Sequence, residues 1–298
     1  MYIKKTSLVI PTKDRPDKVF RILKSFEEYI LLFNEILIID SSADYNNENI
    51  INGCKKYKNI KIIKSKPSSS LQRNVGIDQF NKNNQFIMFC DDDIIFDKNS
   101  LIYMDKFIEK FPDNIGYGFN LIEKDYLNRF DFFKNHKFFQ NNGFYNENPG
   151  IVCENGWHTK ISNINKDTET MWLSTQACIY KSDYIKNNFL FDTSLGKYSY
   201  LEDLFFSYEI KKKGKLSICC RAKYSHPNNI ERVSFKFGIK EIVNRHKFVK
   251  INSLNIKKFY ISAFIKSLLN LISFISLRKN LLPRFCGNIF GIFLCILK

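Results

Sequence analysis

The feature that most constrains this chain is a rhythm in its first third: short unbroken apolar runs, each stopped by a polar cluster and followed by an amphipathic stretch. Residues 7–10 end at Pro11-Thr12-Lys13-Asp14-Arg15, residues 35–39 end at Asp40-Ser41-Ser42, and residues 85–90 end at Asp91-Asp92-Asp93, with a further run over 60–63 that Lys61 interrupts. Runs without polar alternation predict strands buried on both faces, and helices between them imply a mainly parallel sheet covered on both sides. The spacing predicts those helices. Val19, Ile22, Leu23 and Phe26 share a face after the Lys13-Asp14-Arg15-Pro16 turn, residues 49–57 form a second helix, and Ser68-Ser69-Ser70 caps a third running through Gly76 to about Phe80. Such sheets bind ligands beyond the carboxyl ends of their strands, which is where the polar clusters fall.

Residues 120–171 lack periodicity and are rich in Asn, Phe, Gly and Tyr, which reads as long loops with a short helix, the usual place for variable substrate contacts. Regular structure is expected again in a strand over 174–180, a helix around 204–213 closed by Gly214 as a C′ glycine, and a strand over 216–220. The character changes after that. Residues 235–258 are basic with interleaved apolar positions, residues 259–277 are strongly apolar but interrupted by Lys266 and Asn270, and a second apolar stretch covers 285–297. The expected organisation is an α/β catalytic domain over 1–230 and a helical extension over 231–298.

With 46 Lys and Arg against 30 Asp and Glu, the formal charge of +16 favours an anionic partner: a phosphate-bearing substrate, an acidic membrane surface or nucleic acid. Eight cysteines without a C-x-x-C pair, mostly inside apolar runs, read as reduced buried thiols. The apolar run at the N-terminus is too short for a signal-peptide core, so no export is expected.

Two acidic groups carry the chemistry. Adjacent carboxylates such as Asp91-Asp92-Asp93 repel each other when partly buried and persist best beside a cation, and a hard ion such as Mg²⁺ or Mn²⁺ suits carboxylate oxygens and a diphosphate. A solvated acidic turn is the other reading of the triplet. Glu202-Asp203, just before a helix, suits N-terminal capping, but also the general base that a metal-diphosphate site still lacks. Gly116-Tyr117-Gly118 has neither the Lys-Ser/Thr of a P-loop nor the spacing of a dinucleotide fingerprint, and no Ser-His-Asp or Cys-His arrangement stands out.

Over about 7–226 the chain resembles the family 2 glycosyltransferases. Five segments match in order: Ser7-Leu8-Val9-Ile10-Pro11-Thr12 with Arg15, Ile38-Ile39-Asp40-Ser41-Ser42, Gln72-Arg73-Asn74-Val75-Gly76, Phe89-Cys90-Asp91-Asp92-Asp93, and Glu202-Asp203 with Lys211-Lys212-Lys213-Gly214. The resemblance implies a GT-A fold, a Rossmann-like mixed sheet flanked by helices, and inverting transfer from a nucleotide-sugar; UDP is the expected nucleotide, with GDP and dTDP as alternatives. It implies nucleotide-sugar contacts at Pro11, Thr12, Arg15, Asp40, Ser42, Arg73, Asn74, Asp91 and Asp92, and Mn²⁺ or Mg²⁺ on Asp91, Asp93 and His226. Asp203 is implied as catalytic base with Glu202 in support. The sequence departs from the family at Phe205, where a second acid is frequent, at Glu209, where Arg is frequent, and at Thr175-Gln176-Ala177, where a Gly-Ala pair is frequent.

Trp157, His158 and Trp172 suit either a sugar site or core packing. The basic, apolar tail points to a glycan or lipid-linked acceptor and to a cytoplasmic protein held peripherally at the inner face of the cell membrane. There Ile261, Phe264, Ile265, Leu268, Leu269, Ile272 and Ile275 form an apolar stripe, and Lys257, Lys258, Lys266, Arg278 and Lys279 meet anionic headgroups. The alternative for the tail is packing on the catalytic domain or in a homo-oligomer. Two other function classes fit the sequence less well: a nucleotidyltransferase would carry a glycine-rich loop after the first strand, and a nucleic-acid-binding protein would carry base-reading and stacking motifs that are missing.

Overall fold

The computed structural model describes residues 1–123, 136–186, 189–196, 198–226, 232–276 and 280–297. Its contacts divide the chain into two units, Met1–Lys124 with Ile161–Asn228, and Asp125–Lys160 with Asn229–Lys298. Residues 136–160 group with the C-terminal helices and not with the sheet.

In the first unit, β1 (Thr6–Thr12), β2 (Glu35–Asp40), β3 (Ile60–Lys64) and β4 (Phe86–Cys90) alternate with α1 (Pro16–Ser25), α2 (Asp44–Cys54) and α3 (Ser69–Gln79). These four strands pair in parallel in the order β3-β2-β1-β4. Every residue of β2 and β4 is buried, as expected of central strands covered on both faces, whereas edge strand β3 carries exposed Lys61 and Lys64. Leu8, Ile10, Ile36, Ile38 and Met88 pack with Val19, Ile22 and Leu23 of α1 in one core.

The other half of the sheet is mixed. It comprises β5 (Ile95–Phe96), β6 (Gly116–Ile122), β7 (Thr168–Thr170), β8 (Ala177–Lys181) and β9 (Leu216–Ser225), with α4 (Ser100–Lys110) preceding β6. The order continues β4-β8-β6-β9-β5 with β7 on β9; β8 runs antiparallel to β4 and β6, while β6 and β9 are parallel. The helix carrying Glu202 and Asp203, α6, covers Glu202–Lys211.

Three local expectations change. The strand β6 was not foreseen, because its glycines and Asn120 have little strand preference and pairing to β8 and β9 decides its conformation. Helix α2 begins at Asp44 and not at 49, because Asp14 Oδ1, from the loop after β1, accepts the Ala43 N–H at 2.9 Å and supplies a cap absent from α2 itself. Helix α6 ends at Lys211, and Gly214 is no left-handed cap; a Cβ there would lie 2.9 Å from Ile115 Cγ2, so close approach accounts for the glycine.

Gly76 is required for a similar reason. A Cβ at this position would lie 2.4 Å from Cγ1 of Val9, so only glycine lets α3 settle on β1. Gly76→Ala should cost about 1–3 kcal/mol, read as a lower urea midpoint with an unchanged m-value.

The second unit contains α5 (Lys137–Asn141), α7 (Phe235–Ile251), α8 (Ile256–Ile275) and α9 (Leu282–Ile296). Ile242, Val249, Phe259, Ala263 and Cys295 form its apolar centre. One buried polar network joins three of its helices: Arg284 grips Glu241 at 2.7 and 3.0 Å, and Asn288 donates to Glu241 at 3.0 Å while accepting from Asn270 at 2.7 Å. Arg278 and Lys279 lie outside the described residues.

Candidate active site

The polar clusters at the strand ends all fall in the first unit. The Thr12 hydroxyl at the end of β1 donates to Asp92 Oδ2 at 2.6 Å. Gln72 of α3 is buried, and its amide nitrogen donates to the carbonyls of Thr12 and Ile39 at 2.8 and 2.7 Å, tying α3 to the ends of β1 and β2. Sequence reasoning quoted Gln72 only as the neighbour of Arg73; its role depends on two carbonyls that no side-chain pattern reveals.

Arg73 is expected as a nucleotide contact, but the residue is 3% exposed and its guanidinium lies between two acids. One nitrogen is 2.5 Å from Asp91 Oδ1 and another 2.5 Å from Glu202 Oε1, while Glu202 Oε2 accepts the Ser70 hydroxyl at 2.5 Å. Burial opposes the guanidinium charge, but Glu202, Asp91 and Asp203 outweigh it and raise the pKa. The Asp91 carboxyl is pushed up to about 7, first by burial, then by Asp93 and Asp92, with Arg73 opposing.

The other two acids of the triplet face different partners. Asp92, raised chiefly by burial, takes the Thr12 hydroxyl and, at 3.3 Å, Arg15. Asp93 lies 3.0 Å from His226 Nε2, 3.2 Å from Lys18 Nζ and 3.4 Å from Arg15. Burial disfavours its charge, yet His226 and Lys18 prevail and hold the carboxyl down to about 2. Lys18, one helical turn beyond Arg15, was missed; that spacing was the available signal. The predicted metal set thus divides, with Asp91 turned to the buried Arg73 charge and Asp93 to His226. Among the described residues, no three His, Cys, Asp or Glu side chains gather to hold an ion unaided.

Asp40 is 1% exposed, and its oxygens accept the Ser42 N–H at 2.9 Å, the Ser42 hydroxyl and Asn47 Nδ2 at 2.6 Å. Ser42 Oγ in turn accepts the Asp14 N–H at 2.6 Å. The two residues hold the loops after β1 and β2 together. Asn74 clamps the backbone of Phe191 with bonds of 2.9 and 2.8 Å, and Pro11 is partly buried in register with Ile39.

Asp203 is half-buried in the first turn of α6, next to fully committed Glu202. The residue before them, Leu201, is left-handed at φ 74°, a conformation that costs a side-chain-bearing residue on the order of 1–3 kcal/mol and is kept only where the surroundings impose it. Trp157 and His158 belong to the second unit, where Trp157 stacks on Phe259 at 5.8 Å and lies under Arg245 at 4.7 Å. His158 is held neutral by burial and by Arg245 and Arg232. Trp172 is buried in the first unit.

The sequence model of glycosyl transferase family 2 matches residues 7–171. No curated protein matches the sequence. Among solved structures, S. aureus TarS 1–349 is 16% identical with a TM-score of 0.57, covering 98% of this chain and 80% of that one. TarS 1–349 in complex with UDP-GlcNAc gives 14% identity and a TM-score of 0.57, covering 98% of this chain and 81% of that one. GalNAc-T7 with UDP, GalNAc and Mn²⁺ gives 14% identity and a TM-score of 0.58, covering 94% of this chain and 54% of that one. At these identities the likeness is one of fold.

Proposed function

Because the chain belongs to glycosyl transferase family 2, and so is a glycosyltransferase, we propose that it moves a sugar from a UDP-sugar to a hydroxyl of a glycan or lipid-linked saccharide, with inversion at the anomeric carbon. The observation that carries this reading is the buried Asp91–Arg73–Glu202 bridge, which joins the acids at the end of β4 to the first turn of α6. UDP as the nucleotide is supported by the folds shared with structures bound to UDP and UDP-GlcNAc.

Asp203 takes the proton of the acceptor hydroxyl. The acceptor oxygen bonds to the anomeric carbon as the bond from that carbon to the diphosphate breaks, and the diphosphate leaves with the electron pair. Glu202 is positioned by Arg73 and Ser70 and sets the first turn of α6. Asp40 and Ser42 shape the nucleotide end of the pocket through the loops they join, and Arg15 and Lys18 add positive charge for the diphosphate. The donor set suits a hard divalent ion, since Asp93 Oδ1 and His226 Nε2 are already 3.0 Å apart and such ions are completed by substrate phosphates. Asp93 and His226 would hold Mn²⁺ or Mg²⁺, and the ion would stabilise charge on the departing diphosphate.

Nucleotide release from UDP-, GDP- and dTDP-sugars, each with Mn²⁺, Mg²⁺ or EDTA, tests the reading. The expected result is UDP release that depends on the metal. Turnover of only the GDP or dTDP donors would overturn the nucleotide, and undiminished release in EDTA would overturn the metal.

A further inference from the structure

The second unit leaves two of its helices half-covered. On α8, Ile261, Phe264, Leu268, Ile272 and Ile275 are exposed and recur every three or four residues, one stripe from the second turn to the end of the helix. On α9, Leu282, Cys286, Ile289, Phe290, Phe293 and Ile296 form a second such stripe. The interruptions that the sequence places in the apolar run are not on these stripes: Asn270 is buried against Asn288, and Lys266 is partly buried. The exposed faces are therefore apolar from Ile261 to Ile275 on α8 and along α9, where a soluble surface helix would carry charge, and the exposed Lys257 stands at the start of the α8 stripe.

The surrounding charge is one-sided. From Arg232 to Lys298 the sequence has thirteen Lys and Arg and one acid, Glu241, which is buried and gripped by Arg284. Lys236, Lys250 and Lys257 are exposed. A second copy docked through this face would bring two such basic surfaces together, whereas an anionic lipid surface answers both the apolar stripes and the cations.

We propose that α8 and α9 are an interfacial anchor that lies in the surface of an anionic bilayer, their exposed stripes in the acyl boundary and the lysines among the headgroups. Crossing the bilayer is a poorer fit. Helix α8 has 20 residues, about the length required, but its other face packs inside the unit through Phe259, Ala263, Ser267 and Asn270, and α9 has only 15 residues. The inference concerns a surface of the second unit and does not depend on which sugar is transferred.

Co-sedimentation of the full chain with phosphatidylglycerol vesicles and with phosphatidylcholine vesicles, at low and high salt, tests it. The expected result is at least tenfold more bound protein on the anionic vesicles at low salt, with the difference shrinking at high salt. Phe264→Glu/Phe293→Glu should abolish binding to either vesicle. Lys236→Glu/Lys250→Glu/Lys257→Glu should remove the anionic preference with an unchanged far-UV circular dichroism spectrum, and it decides the matter if the first variant misfolds. Wild-type protein that stays in the supernatant with anionic vesicles at low salt, or that binds neutral vesicles equally, overturns the proposal. So does self-association, seen by sedimentation velocity, that Phe264→Glu/Phe293→Glu abolishes while wild-type protein ignores vesicles.

Discussion

Asp203→Asn should lower sugar transfer by roughly a hundredfold or more while leaving UDP affinity close to wild type. The substitution keeps the size of the side chain and the oxygen that accepts the Leu204 N–H at 2.8 Å, so the first turn of α6 is retained while the carboxylate's charge and its capacity to accept a proton are lost. Glu202→Gln is the informative comparison. Both Glu202 oxygens are committed, one to Arg73 and one to Ser70, so this change should lower stability along with activity. Turnover and calorimetric UDP titration on the two variants separate a base from a positioning acid. Wild-type transfer by Asp203→Asn would place the base elsewhere.

Arg73→Met should be the most destabilising single change, at about 3–5 kcal/mol, because it leaves two acids facing each other without their buried counter-charge. The loss should depend on pH. The Asp91 carboxyl already sits at about 7 against an ordinary 3.8, and losing Arg73 moves it higher. A carboxyl whose folded pKa is raised favours the fold at low pH, and that contribution disappears as pH rises through the folded value. The deficit should therefore be larger at pH 8 than at pH 5.5 in urea denaturation. Arg73→Lys should recover part of it and not all, since one ammonium cannot reach two carboxylates as the guanidinium fork does. A deficit that is small and independent of pH would remove the bridge as a structural element.

How much of this was legible in the sequence can be followed residue by residue. The strands β1, β2 and β4 and helix α3 were readable because apolar runs buried on both faces, and the Ser68 cap, are local signals. The strand β6 was not, since its pairing with β8 and β9 overrides weak local preference. The acids at 91–93 and 202–203 could be picked out as chemistry-bearing from their type and position. Their partners could not: Arg73 is 18 residues from Asp91 and 129 from Glu202, and Lys18 is 75 from Asp93.

The sequence by itself determined the alternation of strands and helices, the strand ends at which polar residues collect, and the apolar and basic character of the last seventy or so residues. Each follows from side-chain polarity read along a few turns or a single strand. Only the tertiary structure decided which acid meets which cation, that Asp40 is enclosed by Ser42 and Asn47, and that Asn270 turns inward to Asn288 and leaves the exposed stripe of α8 apolar. Those outcomes rest on buried charges and amides finding partners across the fold, because an unmatched one is costly away from water.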